Sequence, residues 1–496
     1  MGNFPPTPEQ QAIIDGFATG KHLTVEAGAG TGKTTTLRML AETTERRGAY
    51  FAYNRAIAAD AKATFPNHVE CRTLHGFGYG AVKRSRGFLL DRMNLPRQNS
   101  YTVAKLLGIT GPQRITADVV LAPQQVASIV METIRNYCMS GEDHVIRRHM
   151  PVRAGLDSPE AKATLAEVVG PYARKAWEDI TSKNGKLRTT HDHYRKVWAL
   201  ARPRIGADYL FVDEAQDSDG LTMELVRQQA EYGAQIVVVG DSNQAIYGWR
   251  GATSAMAMFE GARLPLSQSW RFGPAVAEEA NAWLAALESR LRLRGAPNLD
   301  TRIGDLTPTT ADAVLCRTNA TAVSTLMTMI DQGVPAHIVG GGDQIRRLAV
   351  AANELRERGS TSHPELCAFV TWGQVQDYVE HDGDGSDLAV AVKLIDEHGT
   401  DKIIDVVDAM VDERDARVVI STAHKAKGRE WGRVLIADDF PEPKKDDDGG
   451  APKFRKDEGM LAYVAVTRAQ GVLDNDGLAW IHDYLAGAHP AASRAA

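Results

Sequence analysis

The sequence predicts an α/β protein of two domains, each built on a parallel β-sheet and each interrupted by a helical insertion. Three observations carry this. Short β-rich apolar runs at 22–26 and 49–53 alternate with helical patterns at 34–44 and 56–64, the strand–turn–helix order of a parallel sheet. Tyr209–Val212 and 235–239 are continuous apolar runs ending in acidic residues, as suits central strands buried on both faces with functional groups at their C-terminal ends. A second series of such runs, at 313–317, 336–339, Val418–Thr422 and 434–437, follows Pro265.

In chain order, residues 1–80 begin the first domain. Residues 81–200, helical patterns broken by Gly and Pro, read as its insertion, and 201–265 complete it. Residues 266–345 begin the second domain, 346–414 read as a small helical insertion, and 415–496 complete the chain. At about 150 residues per domain, 496 residues suggest three to four units, which two domains with insertions satisfy. The mixed charges of 441–459 (PEPKKDDDGGAPKFRKDEG) read as a solvated surface loop rather than a DNA-binding element.

Composition excludes several classes. Apolar residues at 43% and charged residues at 24% are ordinary for a globular chain and exclude a largely disordered one. Four dispersed cysteines without a CxxC pair exclude a disulfide scaffold and a cysteine zinc site. There is no run of 18 apolar residues, and the N-terminal ten lack a signal-peptide layout. An intracellular, cytoplasmic protein is therefore expected. The net charge of −6 means that any nucleic-acid contact must rest on local sites.

The first motif is Ala27-Gly28-Ala29-Gly30-Thr31-Gly32-Lys33-Thr34, between an expected strand and an expected helix. That context suits a phosphate-binding loop: glycines let amides curl around phosphate oxygens, and the helix N-terminus favours negative charge. Ala27 stands where the general pattern has its first glycine. Lys33 would reach the β/γ-phosphates and the Thr34 hydroxyl would hold Mg²⁺, with Thr35 beside it. The second motif, residues 210–217 (LFVDEAQD), places adjacent carboxylates at a strand end. Asp213 is positioned for Mg²⁺, and Glu214 to orient and deprotonate an attacking water. The 180 residues from Lys33 to Asp213 require a large insertion between them.

With these motifs and those that follow, the sequence resembles superfamily 1 DNA helicases of the UvrD/Rep type. Thr7-Pro8-Glu9-Gln10 is similar to the N-terminal glutamine motif, and residues 240–252 (GDSNQAIYGWRGA) to the third motif, the most specific string in the chain. Residues 266–272 (LSQSWRF), 422–431 (TAHKAKGREW) and 461–470 (LAYVAVTRAQ) resemble the fourth to sixth motifs. Residues 51–80, 184–194 (NGKLRTTHDHY) and 268–274 (QSWRFGP) bring it nearest to the F-box DNA helicase branch. Too little precedes Thr7 for an F-box, so that branch's ubiquitin-ligase role is expected not to transfer.

The resemblance implies two RecA-like P-loop domains and the following roles. Gln10 reads adenine, Trp270 stacks on it in place of the usual Tyr, and Glu430 contacts the ribose. Arg271 and Arg468 match the two arginine fingers, and Gln244 the γ-phosphate sensor. Tyr53, Asn54, Thr73, His75, Tyr247, Trp249, Arg250, Thr422 and His424 match positions that touch single-stranded DNA, where flat rings serve the bases and donors the phosphates. His191-Asp192-His193 reads as a turn or cap rather than a metal site, and Trp372 and Tyr378 as core.

The expected activity is that of an ATP- and Mg²⁺-dependent DNA helicase moving 3′→5′ on single-stranded DNA, for replication, recombination or repair; the polarity comes from the resemblance alone. Two alternatives stand beside it: a translocase that strips bound protein with little unwinding, and a DNA-binding scaffold with an inactive ATPase. Expected partners are single-stranded and tailed duplex DNA, with recombinase filaments or a single-strand-binding protein as further candidates, and no membrane.

Overall fold

A computed structural model describes residues 5–486, apart from 53, 247–255, 257, 260, 382–386 and 444–454. Tyr53, Tyr247, Trp249, Arg250 and most of the charged 441–459 loop thus lie outside the described residues. Fourteen strands are described. The first sheet contains β1 (Leu23–Ala27), β2 (Gly48–Ala52), β3 (Val69–Thr73), β6 (Tyr209–Val212), β7 (Gln235–Gly240) and β8 (Ala262–Leu266), in the order β3-β2-β6-β7-β1-β8. The second contains β9 (Arg302–Ile303), β10 (Ala313–Cys316), β11 (Ala336–Ile338), β12 (Val418–Thr422), β13 (Trp431–Ile436) and β14 (Ala469–Asp474), in the order β11-β12-β10-β13-β14-β9. All pairings in both sheets are parallel. A short antiparallel pair, β4 (Gln113–Arg114) and β5 (Val120–Leu121), belongs to the first insertion.

In the first sheet the central strands are the ones legible from sequence; in the second, the edge strand β11 is expected and the interior strand β14 is not. β6 and β7 are buried along their whole length, as their unbroken apolar runs require. The edge strands β3 and β8 were not expected, for identifiable reasons. β3 (VECRT) alternates buried and exposed residues, and β8 contains Pro265, which an edge strand tolerates. The proline that marks a boundary in the sequence thus sits inside the last strand of the first sheet.

The first insertion has its own core, running from Val103 to Leu187. The helices on either side of it, Leu74–Arg86 and His191–Leu200, pack instead against the first sheet, with Val82, Trp198, Leu210 and Val212 in one cluster. The helices of the second insertion have no separate core. Trp372, Val375 and Ile395 share one cluster with Val314, Ile338, Val418 and Ile420 of the second sheet, and Tyr378 packs against it. Those helices are that sheet's cover. The two insertions also touch: the buried Gln125 amide donates to the carbonyls of Thr361 (3.0 Å) and Cys367 (2.7 Å).

His193 reaches back to accept from the Thr190 amide at 3.1 Å and so helps cap the helix that begins at His191. Among the described residues no group of His, Cys, Asp and Glu forms a metal cluster. No described helix is long and apolar enough to cross a membrane.

Candidate nucleotide site between the two domains

In parallel sheets ligands gather beyond the carboxyl ends of the strands. At those ends of the first sheet lie the loop after β1, the acidic pair after β6 and Asp241 after β7. The loop after β1 turns through Gly30 (φ 72°) and Gly32 (φ 78°), left-handed angles that glycine adopts without a Cβ penalty. Helix Lys33–Glu42 then starts without a side-chain cap. The amides of Gly30, Thr31, Gly32 and Lys33 make no hydrogen bond among the described residues. A row of free amides at a helix N-terminus is a cradle for phosphate oxygens.

Four acidic or basic groups crowd this cradle. Lys33 Nζ lies 3.3 Å from Glu214 Oε1. Burial opposes its charge, but Glu214, Asp241 and Asp213 together raise its pKa. Asp213 Oδ2 accepts from the Thr34 hydroxyl at 2.9 Å and from the Tyr50 hydroxyl at 2.6 Å. Burial, reinforced by neighbouring Glu214, pushes the Asp213 pKa up. Burial would raise Glu214 too, but Lys33 and Lys427 outweigh it and hold that carboxylate low. Two adjacent carboxylates therefore have opposite tendencies. Glu214 is an ionised base, while Asp213 is a hard oxygen donor with excess negative charge that a divalent cation would relieve. Asp213 and Thr34 thus fit Mg²⁺. Glu214 also has φ 49°, an uncommon angle for a non-glycine residue. Gln216 Nε2 holds its other oxygen at 2.6 Å.

The second domain closes the site. Arg468, 2% exposed, donates from Nη2 to Gln244 Oε1 at 3.3 Å and from Nε to Val464 O at 2.8 Å. Arg271 Nε lies 2.5 Å from Glu430 Oε2, and its Nη1 donates to Thr467 O at 3.1 Å. Gln470 Nε2 holds the other Glu430 oxygen at 2.8 Å. Trp270 is 54% exposed beside the glycine loop, its amide donating to Gly30 O at 2.9 Å. The structure thus brings Lys33, Thr34, Asp213, Glu214, Gln244 and Arg468 together, with Arg271, Trp270 and Glu430 on one rim. Gln10 is nearby but engaged: its Oε1 accepts from the Thr7 amide at 2.9 Å, and its Nε2 donates to Thr36 Oγ1 at 3.1 Å. One donor and one acceptor position of its amide remain for a ligand.

Four further residues, all inside the quoted motifs but given no role from sequence, join the two halves. Tyr463, fully buried, donates to Asp241 Oδ2 at 3.0 Å, while its oxygen receives the Ala29 amide at 3.4 Å. Asp241 Oδ2 also accepts from Gln244 Nε2 at 2.8 Å. Lys427 Nζ pairs with Asp217 Oδ1 at 2.6 Å and donates to Gln244 O at 2.5 Å. Burial pushes the Asp217 pKa up to about 6 against the pull of Lys427. Gln244 is therefore held by its side-chain amide from one domain, and by its side-chain and main-chain oxygens from the other. Motif position alone could flag such residues; only packing assigns their partners.

Of the residues expected to touch a DNA strand, Asn54 and Thr73 cap helices: Asn54 Oδ1 accepts from the Ile57 amide at 2.9 Å and Thr73 Oγ1 from the Gly76 amide at 3.1 Å. His75 Nε2 lies 3.4 Å from Asp192 Oδ1. Thr422, at the end of β12, is buried, and His424 is half-buried beyond it. These residues occupy the carboxyl ends of β2, β3 and β12, across both domains.

A family profile described as AAA domain matches residues 10–250, and one described as UvrD-like helicase C-terminal domain matches 402–473. The F-box DNA helicase protein 1 of Schizosaccharomyces pombe is 30% identical over 94% of this chain and 56% of its own length. The F-box DNA helicase 1 of Gallus gallus is 28% identical over 94% of this chain and 48% of its own. The ATP-dependent DNA helicase Rep of Salmonella typhimurium is 27% identical over 56% of this chain and 43% of its own. The chain spans about half the length of the curated relatives it matches.

Proposed function

From the premise that this chain belongs to the UvrD/Rep-like helicases of superfamily 1, we propose that it is an ATP-dependent DNA helicase with two RecA-like domains, moving 3′→5′ on single-stranded DNA and separating duplex. The observation that carries the reading is the single cluster in which Lys33 and Glu214 of the first domain lie beside Asp241, whose partner Gln244 meets Arg468 of the second.

The chemistry follows from what each residue can do. The loop amides and Lys33 bind the phosphates. Glu214, ionised and held by Gln216, takes a proton from a water aligned on the γ-phosphorus. Arg271 and Arg468 bring positive charge to the oxygens on which negative charge develops. Mg²⁺, held by Asp213 and Thr34, would neutralise phosphate charge when bound. Trp270 offers a ring face to the base, and Glu430, once released from Arg271, an acceptor to the ribose. Because the arginines and the base belong to different domains, hydrolysis requires closure, which ties chemistry to motion.

Two experiments test this. The first is strand displacement on duplexes with a 3′ or a 5′ single-stranded tail, with ATP and Mg²⁺ and a Lys33→Ala preparation as control. Displacement from the 3′-tailed substrate alone, lost in the variant, is expected. DNA-stimulated hydrolysis without displacement would favour the protein-stripping alternative, and no stimulated hydrolysis the scaffold.

The second addresses the cross-domain link. Tyr463→Phe keeps the buried ring and removes only the hydroxyl between Ala29, Asp241 and the Gln244 amide. A lost hydrogen bond to a charged group costs about 1.5–3 kcal/mol, so DNA-stimulated kcat should fall about tenfold. The KM for ATP should change little. A fall in thermal stability with kcat intact would assign Tyr463 a packing role only.

A further inference from the structure

Helix Leu74–Arg86 carries a surface that the residues discussed so far do not account for. His75, Tyr79 and Lys83 recur at intervals of four and Arg86 three later, so they share one face. Tyr79 is 43% exposed on that face. Its ring stands edge-to-face against Tyr194 at 5.9 Å, and Tyr194 in turn meets His75 at 6.2 Å and His191 at 5.7 Å. The exposed ring is therefore braced from below by the buried Tyr194 ring, which the half-buried His75 and the exposed His191 flank.

The charge around it is one-sided. Arg55, Lys83, Arg84 and Arg86 are exposed and form no ion pair among the described residues. The nearby acids are taken: Asp192 by His75 and Arg195, and Glu70 by Arg72.

The glycines of this helix supply an independent observation. The segment reads His75-Gly76-Phe77-Gly78-Tyr79-Gly80, and glycine within a helix costs about 1 kcal/mol relative to alanine. Gly78 has a packing reason, since a Cβ there would lie 3.1 Å from the Trp198 ring. Gly80 has none: a Cβ would meet only the flexible Arg84 Nη1 at 3.7 Å. A bare backbone that no protein neighbour requires, next to an exposed ring and unpaired cations, suits close approach by a ligand.

We propose that this face is a further contact for the single strand, continuing the track from Asn54, Thr73 and His75. Tyr79 is a platform for one base, Gly80 admits the sugar–phosphate backbone to the helix surface, and Lys83, with Arg55, Arg84 and Arg86 around it, neutralises phosphates. An exposed ring selects unpaired bases, since in duplex both faces of each base are stacked. The inference rests on the DNA-translocating reading above.

The test is fluorescence anisotropy of a labelled oligothymidylate with the full chain and no nucleotide, at several salt concentrations. Tyr79→Ala is expected to weaken binding about tenfold, and Tyr79→Phe to restore it. Lys83→Ala should lower the slope of log affinity against log salt by about 0.7. Gly80→Ala is the decisive variant: it should raise the melting temperature, as helix propensity requires, and yet weaken binding. Wild-type binding with Tyr79→Ala and Gly80→Ala indistinguishable from it would overturn the proposal alone. A wild-type chain that does not bind the oligonucleotide would overturn the translocase reading on which it stands. Tighter wild-type binding to blunt duplex than to the oligonucleotide, lost in Tyr79→Ala, would overturn the assignment to unpaired bases.

Discussion

Glu214→Gln is expected to hydrolyse ATP about a thousandfold more slowly than the wild-type chain at saturating DNA, within the range for loss of a positioned general base. Glutamine keeps the volume and a carbonyl that can face Lys33, so the phosphate cradle stays intact. What disappears is the carboxylate that Lys33 and Lys427 hold ionised against burial. Proton transfer from water then has no acceptor, while binding is untouched. Steady-state kcat and the Kd of a fluorescent ATP analogue separate the two effects. Kd should stay within a few-fold of wild type, and single-stranded DNA binding should be unchanged. A loss of less than tenfold in kcat would remove Glu214 from the role of base and direct attention to Asp217, the next carboxylate along.

Arg468→Lys should lose about a thousandfold in kcat as well, the low end of what an arginine finger contributes. Arginine here uses its planar fork: Nε holds Val464 O at 2.8 Å while Nη2 reaches Gln244 Oε1 at 3.3 Å. Burial and the neighbouring Arg271 lower its pKa, but a guanidinium remains cationic at neutral pH where an ammonium in the same place shifts more readily. Lysine cannot make both contacts, and one direct hold on Gln244 from the second domain is lost. The diagnostic feature is coupling. With Arg468→Lys, the residual hydrolysis should be stimulated less by single-stranded DNA than that of Glu214→Gln, because only the arginine variant disturbs the Gln244 side chain. Equal stimulation in both variants would mean that Gln244 is positioned without Arg468, through Asp241, Gln216 and Lys427.

The legibility of this chain divides by the kind of physics involved. β6 and β7 were readable because a strand buried on both faces needs an unbroken apolar run, which is a local property. β3 and β8 were not, because an edge strand half-covered by neighbours reads as polar loop or, with Pro265 inside it, as a breaker. Lys33, Thr34, Asp213 and Glu214 were readable because a glycine loop and a strand-end acidic pair each carry their chemistry within a few residues.

The same division applies to the site and the insertions. Local sequence determined the α/β class, the two parallel sheets, the glycine loop and the acidic pair, since spacing of two or four residues sets which groups share a strand end or a helix face. Tertiary structure alone decided the rest. It gave Asp217 the partner Lys427, 210 residues away, and Asp241 the partner Tyr463, 222 away. It gave Gly80 no packing neighbour while placing Gly78 beneath Trp198. It gave the first insertion its own core and the second none. Partners so distant in sequence meet only after both sheets form, and whether a buried carboxylate is ionised depends on the cations folding brings beside it rather than on its neighbours in the chain.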